Sequence, residues 1–355
     1  MRRYIYEFSE WPNFHWQNSP ALVVGLAAID ALQKEILAKL ALLDSDDVRS
    51  ISCQTISAEI IASSQIEGVA LNRKSVRSSV AKRLGIGDLS FSDHAIEGIV
   101  DARFDVLRND QTFISAERLF SWHAAHFPLG YSGLQKIRVA AWRETSMRVV
   151  SGPIGAEVEH YRAPEAENVP RYMEDFLQWL NASNEKVAIV KAAIAHLWFV
   201  LIHPFDDGNG RMARLISDAI LNQDLPYHIS AFSLSEEILK NKKQYYNLLD
   251  FICKREILDV TDWIEWYISI FKQTLNNIIY IFNLIIKRTK VWDKTRQYSL
   301  SDRQKKVLTK YLDNFIGKMT AQKYKRICKC SLEIAVKELN ELYSYGLIDL
   351  DGSDH

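Results

Sequence analysis

The chain has few cysteines, no surplus of charge of either sign and no long apolar run. Its 355 residues include 4 cysteines, and 44 basic side chains balance 44 acidic ones. Because the formal net charge is zero, the chain as a whole has no general attraction for nucleic acid or for an anionic membrane. The cysteines show no paired metal-ligand spacing, and Cys328-Lys329-Cys330 alone is a weak indication of a metal site.

The missing features also bear on location and size. The most apolar segments, 194–202 and 278–286, are too short or too interrupted to cross a bilayer, so we expect no membrane insertion. Sparse cysteine and the absence of a recognisable signal peptide predict a cytoplasmic protein. The length allows one large domain or about two to three smaller ones.

The most informative stretch is 203–214, which begins where an apolar helix should stop and ends inside the next helix. Pro204 cannot continue a helix interior, so the first helix must end near residue 203. Gly208 and Gly210 allow backbone N–H groups to converge without a Cβ between them. Such amides at the start of a helix form an anion site, which the helix dipole strengthens.

Four side chains add chemistry to this anion site. Arg211 and Arg214 are three residues apart, so both lie on one face of the new helix and can fork onto phosphate oxygens. Asp207 is a hard carboxylate suited to Mg²⁺, and His203 can remove a proton from a hydroxyl near neutral pH. A glycine-rich turn with solvated charges would explain any one of these residues but not all of them in one window. The stretch therefore predicts a site for a nucleotide polyphosphate, a metal and a general base.

The same stretch resembles the signature of the Fic family: His, any residue, Phe, any residue, Asp or Glu, Gly-Asn-Gly-Arg, two of any residue, Arg. The resemblance implies transfer of AMP from ATP to a Tyr, Thr or Ser hydroxyl of a target protein, with His203 as base and Asp207 holding Mg²⁺. The fixed positions of the signature are filled by His203, Phe205, Asp207, Gly208, Asn209, Gly210, Arg211 and Arg214. The nucleotide would be bound from this stretch by His203, Gly208, Asn209, Gly210, Arg211, Met212, Ala213 and Arg214.

A second motif lies in the helical stretch 51–71. Ser63 and Glu67 are one turn apart and Gly68 follows as a helix stop, which resembles the inhibitory helix motif of one group of Fic proteins. The resemblance implies that Glu67 enters the nucleotide site and pairs with Arg214. A short motif of this kind is also common at unrelated helix ends. We expect an autoinhibited enzyme in which Glu67 misaligns the triphosphate.

Residues 137–164 change character from helical to strand-like, with turn chemistry in the middle, and predict one β-hairpin. By its place before the signature it resembles the family's flap, which holds an extended target segment by strand addition. A surface hairpin without a role is the alternative. The resemblance places beside the nucleotide the residues Val158, Glu159, His160 and Tyr161.

Other candidate residues have plainer interpretations. Tyr245 and Tyr246 resemble a tyrosine pair that borders the adenosine in the family, but interhelical packing explains them almost as well. The asparagine often found seven residues further on is replaced here by Cys253. His196, in an apolar run, is predicted to be a core histidine. His123 and His126 are predicted to be packed or capping residues rather than metal ligands.

The C-terminal part reads as three helices over 301–312, 320–327 and 331–345, followed by a strand and a clipped wing at 346–352. This order resembles a winged helix-turn-helix. The would-be recognition helix is more acidic than basic, so a protein-contact or dimerisation role is favoured over DNA binding. The basic side chains gather instead on the second helix, at Lys323, Lys325, Arg326 and Lys329.

Together these features predict a mainly α fold. We expect an N-terminal helical region with the inhibitory helix over 1–100, and a Fic core with one hairpin flap over 101–275. A linking helix over 276–298 and a winged-helix-like domain over 299–355 would follow. We expect a homodimer that uses ATP and Mg²⁺ and acts on a target protein.

Two alternatives stay open at this point. The same site could remove AMP from a modified protein, or transfer phosphate or another nucleotide. In a different class, the chain could be a DNA-binding regulator whose Fic core senses a ligand, which a steep salt dependence of binding to duplex DNA would support.

Overall fold

The protein, seen in a computed structural model, is mainly helical, as predicted. Its contacts divide the chain into two units, one of residues 1–38 and 44–278 and the other of residues 39–43 and 279–355. Within the described ranges, every helix is too short or too polar to span a bilayer. The structure describes residues 4–86, 93–108, 112–151, 156, 158–182, 185, 187–224, 232–312 and 317–348.

The first unit is built from helices with two short β-hairpins between them. The last parts of α1 and α11 belong to the second unit. In chain order its helices are α1 (Pro20–Leu40), α2 (Ser45–Ile66), α3 (Arg73–Arg83), α4 (His94–Arg108), α5 (Ala116–His126), α6 (Val169–Ala182), α7 (Ala188–Ile202), α8 (Asn209–Asp224), α9 (Leu234–Lys240), α10 (Lys242–Cys253) and α11 (Thr261–Thr295).

Helix α2 carries the predicted inhibitory motif and is defined at both ends. At its start, the Asp44 carboxylate accepts hydrogen bonds from the backbone N–H groups of Asp46 and Asp47, at 2.9 and 2.8 Å. This is an N-cap, which satisfies donors that have no partner within the helix. At its end, Glu67 is the C-cap and Gly68 takes a φ of 79°, as the predicted glycine stop requires.

The middle of α2 is fixed to the start of α9 by a buried carboxylate. Glu59 accepts hydrogen bonds from the Ser233 hydroxyl and from the Ser235 N–H, both at 2.9 Å, and from the Ser235 hydroxyl. A carboxylate at the first turn of a helix pairs with free N–H groups and with the positive end of the helix dipole. This contact links the N-terminal helices to the part of the chain that follows α8.

Helix α7 is apolar almost all round and lies in the interior, packed against α8. Its His196 is buried, with Nε2 2.9 Å from the Tyr245 hydroxyl and Nδ1 3.3 Å from the Ser217 hydroxyl. The prediction of a satisfied core histidine is therefore confirmed. Trp263 of α11 adds a hydrogen bond from its indole N–H to the Ala193 carbonyl at 2.7 Å.

The described residues form two antiparallel hairpins where the sequence predicted one. The first joins β1 (Tyr131–Ser132) to β2 (Gln135–Lys136), and the second joins β3 (Arg148–Ser151) to β4 (Val158–Arg162). The second is the predicted flap hairpin, with a register irregularity after Val149. The first was missed because strands of two residues carry no readable alternation.

The second unit contains the predicted three C-terminal helices, α12 (Asp302–Leu312), α13 (Ala321–Cys328) and α14 (Leu332–Ser344). Glu338, one of the acidic residues of α14, is buried and accepts a hydrogen bond from the Tyr324 hydroxyl at 2.7 Å. The predicted strand and wing at 346–352 fall largely outside the described residues, so the winged-helix assignment stays a prediction.

Candidate active site

The candidate site lies where α7 meets α8. Helix α7 ends at Ile202, as predicted, and His203 follows in the left-handed conformation with φ 52° and ψ 58°. Gly208 has a φ of 83°, and a Cβ there would stand 2.8 Å from the Phe127 ring, so both backbone and space demand glycine. Helix α8 begins at the next residue, so the loop carries the chain directly onto a helix N-terminus.

The loop is closed from inside by Asn209. Its side-chain oxygen accepts from the Phe205 N–H at 2.9 Å, and its side-chain nitrogen donates to the Phe205 carbonyl at 2.8 Å. The side chains of Asn209, Met212 and Ala213 are buried. All three residues were predicted to bind the nucleotide. Because their side chains point into the protein, only their backbone groups are left for a ligand.

His203 has the geometry of a neutral general base. Its Nδ1 lies 3.1 Å from the Val200 carbonyl, which can only accept, so Nδ1 carries the proton and Nε2 is the acceptor nitrogen. Burial lowers the pKa of His203 to about 4, against an ordinary value of 6.5. The ring is therefore uncharged at neutral pH and can take a proton from a hydroxyl.

Asp207 stands beside the base with its carboxylate partly exposed. The Ser132 hydroxyl of β1 donates to its Oδ2, and Arg211 Nη2 lies 3.8 Å from the same oxygen. The Arg211 guanidinium is itself seated over the Phe127 ring, 4.6 Å from its centre. Among the described residues no group of three or more metal-ligating side chains occurs. One partly exposed carboxylate nevertheless suits Mg²⁺, which keeps most of its waters and takes phosphate oxygens as ligands.

Arg214 is the buried centre of the predicted inhibitory contact. Its Nη2 donates to Glu67 Oε1 at 2.7 Å and to the Ser63 carbonyl at 2.9 Å, and its Nε donates to the Ser63 hydroxyl at 2.9 Å. The structure thus brings Arg214 together with Ser63 and Glu67, which lie 151 and 147 residues earlier in the sequence. Such a charge-assisted set is stronger than neutral hydrogen bonds.

The Glu67 carboxylate also lies against the first turn of α8. A Cβ added to Gly210 would stand 2.2 Å from Glu67 Oε1, and only a glycine leaves room for it. An anion at this place meets both the helix N-terminus and Arg214. Glu67 therefore occupies the position at which the sequence predicted phosphate oxygens.

The flap residues divide between surface and core. Val158 is exposed, and His160 Nδ1 lies 3.3 Å from Asp250 Oδ1 of α10. Glu159 accepts from the Tyr4 hydroxyl at 3.1 Å. Tyr161 is buried and donates its hydroxyl to the Leu201 carbonyl at 2.5 Å, so its side chain serves the core.

The tyrosine pair on α10 is divided in the same way. Tyr245 is buried and bonded to His196, so its side chain belongs to the interior. Tyr246 is half-exposed, and its hydroxyl donates to the Ile66 carbonyl at 3.2 Å. Interhelical packing therefore describes the first tyrosine, while the second reaches the end of α2.

The signature stretch also contacts residues that were not predicted to take part in it, among them Ser132, His123 and Arg143. His123 is stacked on Phe205 with ring centres 4.1 Å apart, and its Nε2–H donates to the Asp207 carbonyl at 3.1 Å. Its pKa is lowered to about 4, mainly by burial. The predicted packed role is confirmed, but nothing in the sequence indicated that the partner would be the 203–214 loop.

Two family models match the chain. Residues 4–86 match a domain of unknown function (DUF4172), and residues 113–221 match the Fic/DOC family. The second match contains the flap, α7, the 203–214 loop and most of α8. The match shows similarity to the Fic/DOC family over this part of the chain.

Curated relatives are similar over limited segments. The chain is 46% identical over 57 residues to "Protein adenylyltransferase fic-1" of Caenorhabditis elegans and 41% identical over 66 residues to "Protein adenylyltransferase Fic" of Nematostella vectensis. These segments cover 16% and 18% of this chain and 11% and 16% of the relatives. A longer match, to "Protein adenylyltransferase Fic" of Culex quinquefasciatus, has 27% identity over 162 residues and covers 44% of this chain and 30% of that protein.

Solved structures share the fold over a larger part of the chain. A Fic family protein from Desulfovibrio desulfuricans G20 superposes with a TM-score of 0.57 at 20% identity, covering 93% of this chain and 90% of that one. A Fic domain containing signaling protein from Bacteroides thetaiotaomicron superposes with a TM-score of 0.53 at 18% identity, covering 72% and 96%. At these identities the likeness shows the fold alone.

Proposed function

We propose that this protein is a protein adenylyltransferase, which transfers AMP from ATP to a Tyr, Thr or Ser hydroxyl of a target protein and to itself. One observation carries the proposal: an uncharged imidazole, His203, precedes a helix N-terminus that already holds an anion, Glu67, bound to Arg214. A base and a polyphosphate site are the two parts that this reaction needs. The adenylyltransferase names of the relatives support the choice of nucleotide.

The transfer can be written with its atoms balanced. The target hydroxyl oxygen forms a bond to the α-phosphorus while the bond from that phosphorus to pyrophosphate breaks. The hydroxyl proton passes to Nε2 of His203. The backbone N–H groups of 208–210, together with Arg211 and Arg214, face the phosphate oxygens on which charge develops.

Mg²⁺ fits the site as a companion of the nucleotide. Asp207 would hold it, with water and phosphate oxygens as its other ligands. When bound, the ion neutralises charge on the phosphates. Ser132 and Arg211, which contact the carboxylate in the structure, would keep it oriented toward that position.

Glu67 acts as a brake in this proposal. Arg214 can hold the carboxylate or a terminal phosphate, but not both well, because both would take the same donors. With Glu67 in place the triphosphate is displaced, and a misplacement of about 1 Å can cost on the order of a hundredfold in rate. The protein as it is purified is therefore expected to be in a state of low activity.

The flap is proposed to hold the target by strand addition. Val149, Val150 and Val158 on its two strands are exposed, so an extended segment can lie against the hairpin. Backbone hydrogen bonds would give affinity with little sequence selection. ATP and a target protein are then the partners.

Labelling with radioactive ATP tests base and brake together. We expect weak self-labelling of the wild type, strong labelling of Glu67→Gly and none of the double variant Glu67→Gly/His203→Ala. Glu256→Gly, in an exposed loop, is the matched control and should label like the wild type. Equal labelling of wild type and Glu67→Gly would contradict the inhibitory role of Glu67. Calorimetry that detects no ATP binding by Glu67→Gly would contradict the proposed transferase activity.

Removal of AMP is the second candidate, because the Glu67 carboxylate stands at the phosphate position and could orient a water molecule there. Incubation with an AMP-modified protein separates the two activities. Release of AMP by the wild type that is lost in Glu67→Ala would favour removal. Labelling that rises in the same variant favours addition.

A further inference from the structure

Arg143 contacts two consecutive carbonyls of the base loop. Its backbone N–H donates to the Pro204 carbonyl at 2.9 Å, and its side-chain Nε donates to the His203 carbonyl at 2.8 Å. The side chain is almost fully buried, with 2% of the residue exposed. Main chain and side chain of one residue therefore fix the peptide that follows the base.

The remaining nitrogens of the guanidinium reach both ends of the flap. Nη1 donates to the Thr145 carbonyl at 2.7 Å, shortly before β3, and Nη2 donates to the Pro164 carbonyl at 2.5 Å, shortly after β4. Arg143 thus joins the base loop, the entrance of the flap and its exit. A planar fork with five donors can make these bonds at once, whereas an ammonium group cannot match that geometry.

The base needs such support because of its backbone. His203 is left-handed with φ 52°, a conformation that residues with a Cβ adopt only when their surroundings impose it. The Arg143 bonds act on the very carbonyl that this conformation exposes. The contact therefore opposes relaxation of the backbone that aims the imidazole.

The buried cation is held by carbonyls rather than by a carboxylate. In the described parts of the chain no acidic side chain lies within ion-pair distance of Arg143, and Glu165 and Asp206 act on its charge from further away. The charged groups that act on His203 are Arg143, Glu67 and Asp207. After burial, the positive charge of Arg143 is the largest charge effect that lowers the pKa of His203. A buried charge is costly unless it is hydrogen-bonded, and the three carbonyl acceptors meet that need for Arg143.

We propose that Arg143 is the positioning residue of the transfer reaction, which holds His203 in its left-handed conformation and fixes both ends of the flap to the base. The inference rests on the proposed function and extends it, because it makes one side chain responsible for the register between base and bound target segment. Arg143 itself touches neither nucleotide nor target in this scheme.

The experiment uses the full chain in the Glu67→Gly background. Arg143→Met removes both the guanidinium hydrogen bonds and the positive charge, whereas Arg143→Lys keeps the charge. The control is Arg171→Met, because Arg171 is exposed and lies over the Tyr172 ring. We expect Arg143→Met to lower kcat about a hundredfold while KM for ATP changes by less than about twofold. Arg143→Lys should recover part of the loss, and the control should match its parent.

A second readout does not depend on turnover. In NMR spectra the His203 ring signals of Arg143→Met should shift and titrate at higher pH than in the parent, since a positive neighbour is lost. The same signals should stay in place in Arg171→Met. If Arg143→Met does not fold by circular dichroism, Arg143→Lys is compared instead, with kcat again expected to fall and KM to stay.

The outcomes separate this inference from the function on which it rests. A parent that does not label, together with a His203 shift in Arg143→Met, would overturn the transferase and support the positioning contact. A parent that labels and an arginine variant with the same kcat, or with unmoved His203 signals, would overturn the positioning role alone. A fall in kcat matched by an equal loss of ATP binding would also count against it.

Discussion

The hydroxyl of Tyr246 donates a hydrogen bond to the main-chain oxygen of Ile66, 3.2 Å away, directly before Glu67 in the chain. Helix α10 therefore holds the last turn of α2 at the point where the brake residue leaves it. Arg214 and Ser63 hold the same turn from the side of the nucleotide site. The contact proposed to be inhibitory is thus held from two directions, and its strength depends on both.

Loss of the Tyr246 hydroxyl should loosen the proposed brake while the Glu67 side chain is kept, because the hydroxyl interacts both with the Ile66 carbonyl and with Glu67. A hydrogen bond of this kind contributes about 1 kcal/mol, so Tyr246→Phe is expected to raise self-labelling by roughly fivefold. Labelled ATP measures the change, and Tyr280→Phe, on an exposed tyrosine of α11, is the control. A rise of the same size in a Glu67→Gly background would show that Tyr246 acts elsewhere than on the brake.

Glu59 should be important for stability as well as for the position of α2. It is buried and accepts three hydrogen bonds at the start of α9, and its removal leaves those donors without a partner. We expect Glu59→Ala to lower the free energy of unfolding by about 1–3 kcal/mol, with a smaller loss for Glu59→Gln. Urea unfolding measures both, with the exposed Glu256→Ala as reference. Equal midpoints for all three variants would contradict the role assigned to Glu59.

Acid should destabilise the fold before most carboxylates titrate. Burial is the main cause that lowers the pKa of four histidines in the folded protein. In the unfolded chain the same side chains bind a proton near pH 6.5. Below that pH the unfolded state binds more protons, so stability is full above about 6.5 and falls as the pH drops toward 4. The folded pKa values are about 4 for His123, about 3 for His126, about 3 for His196 and about 4 for His203.

The slope of the unfolding free energy against pH gives the number of protons taken up on unfolding. Each histidine contributes up to about 1.4 kcal/mol per pH unit across its window. Urea unfolding at several pH values should give a slope that decreases by about one proton in His126→Gln. A slope that stays the same in His126→Gln would show that this ring is already charged in the fold.

The sequence predicts the site well where its parts are consecutive. Everything in 203–214 follows from local rules: a proline ends one helix, glycines shape the turn, and arginines three residues apart share a face. Glu67 could be proposed because it and Ser63 lie one helical turn apart and match a motif. The mainly helical fold and the three C-terminal helices are likewise set by helical periodicity, and the structure confirms them.

The parts that could not be predicted depend on contacts between distant segments. Arg143 meets the base loop across 60 residues, and Ser132 meets Asp207 across 75, with no pattern in either stretch that points to the partner. For Tyr161 and Tyr245 a family pattern suggested contact with the nucleotide, which stays a prediction. Both side chains are buried, and Tyr245 lies close to Arg214. Alternation along a strand or a helix tells which residues share a face, but not what that face will meet.

The anion position at the start of α8 is occupied by the Glu67 carboxylate, which belongs to the same polypeptide. An internal ligand of this kind is present at one fixed effective concentration, whatever the amount of protein in solution. Dilution cannot release it, and under the proposed function a nucleotide would have to compete with it in every molecule alike. Activity is therefore expected to be controlled by whatever bends or shifts α2. A movement at the C-terminal end of α2 would then change what can bind at the N-terminal end of α8.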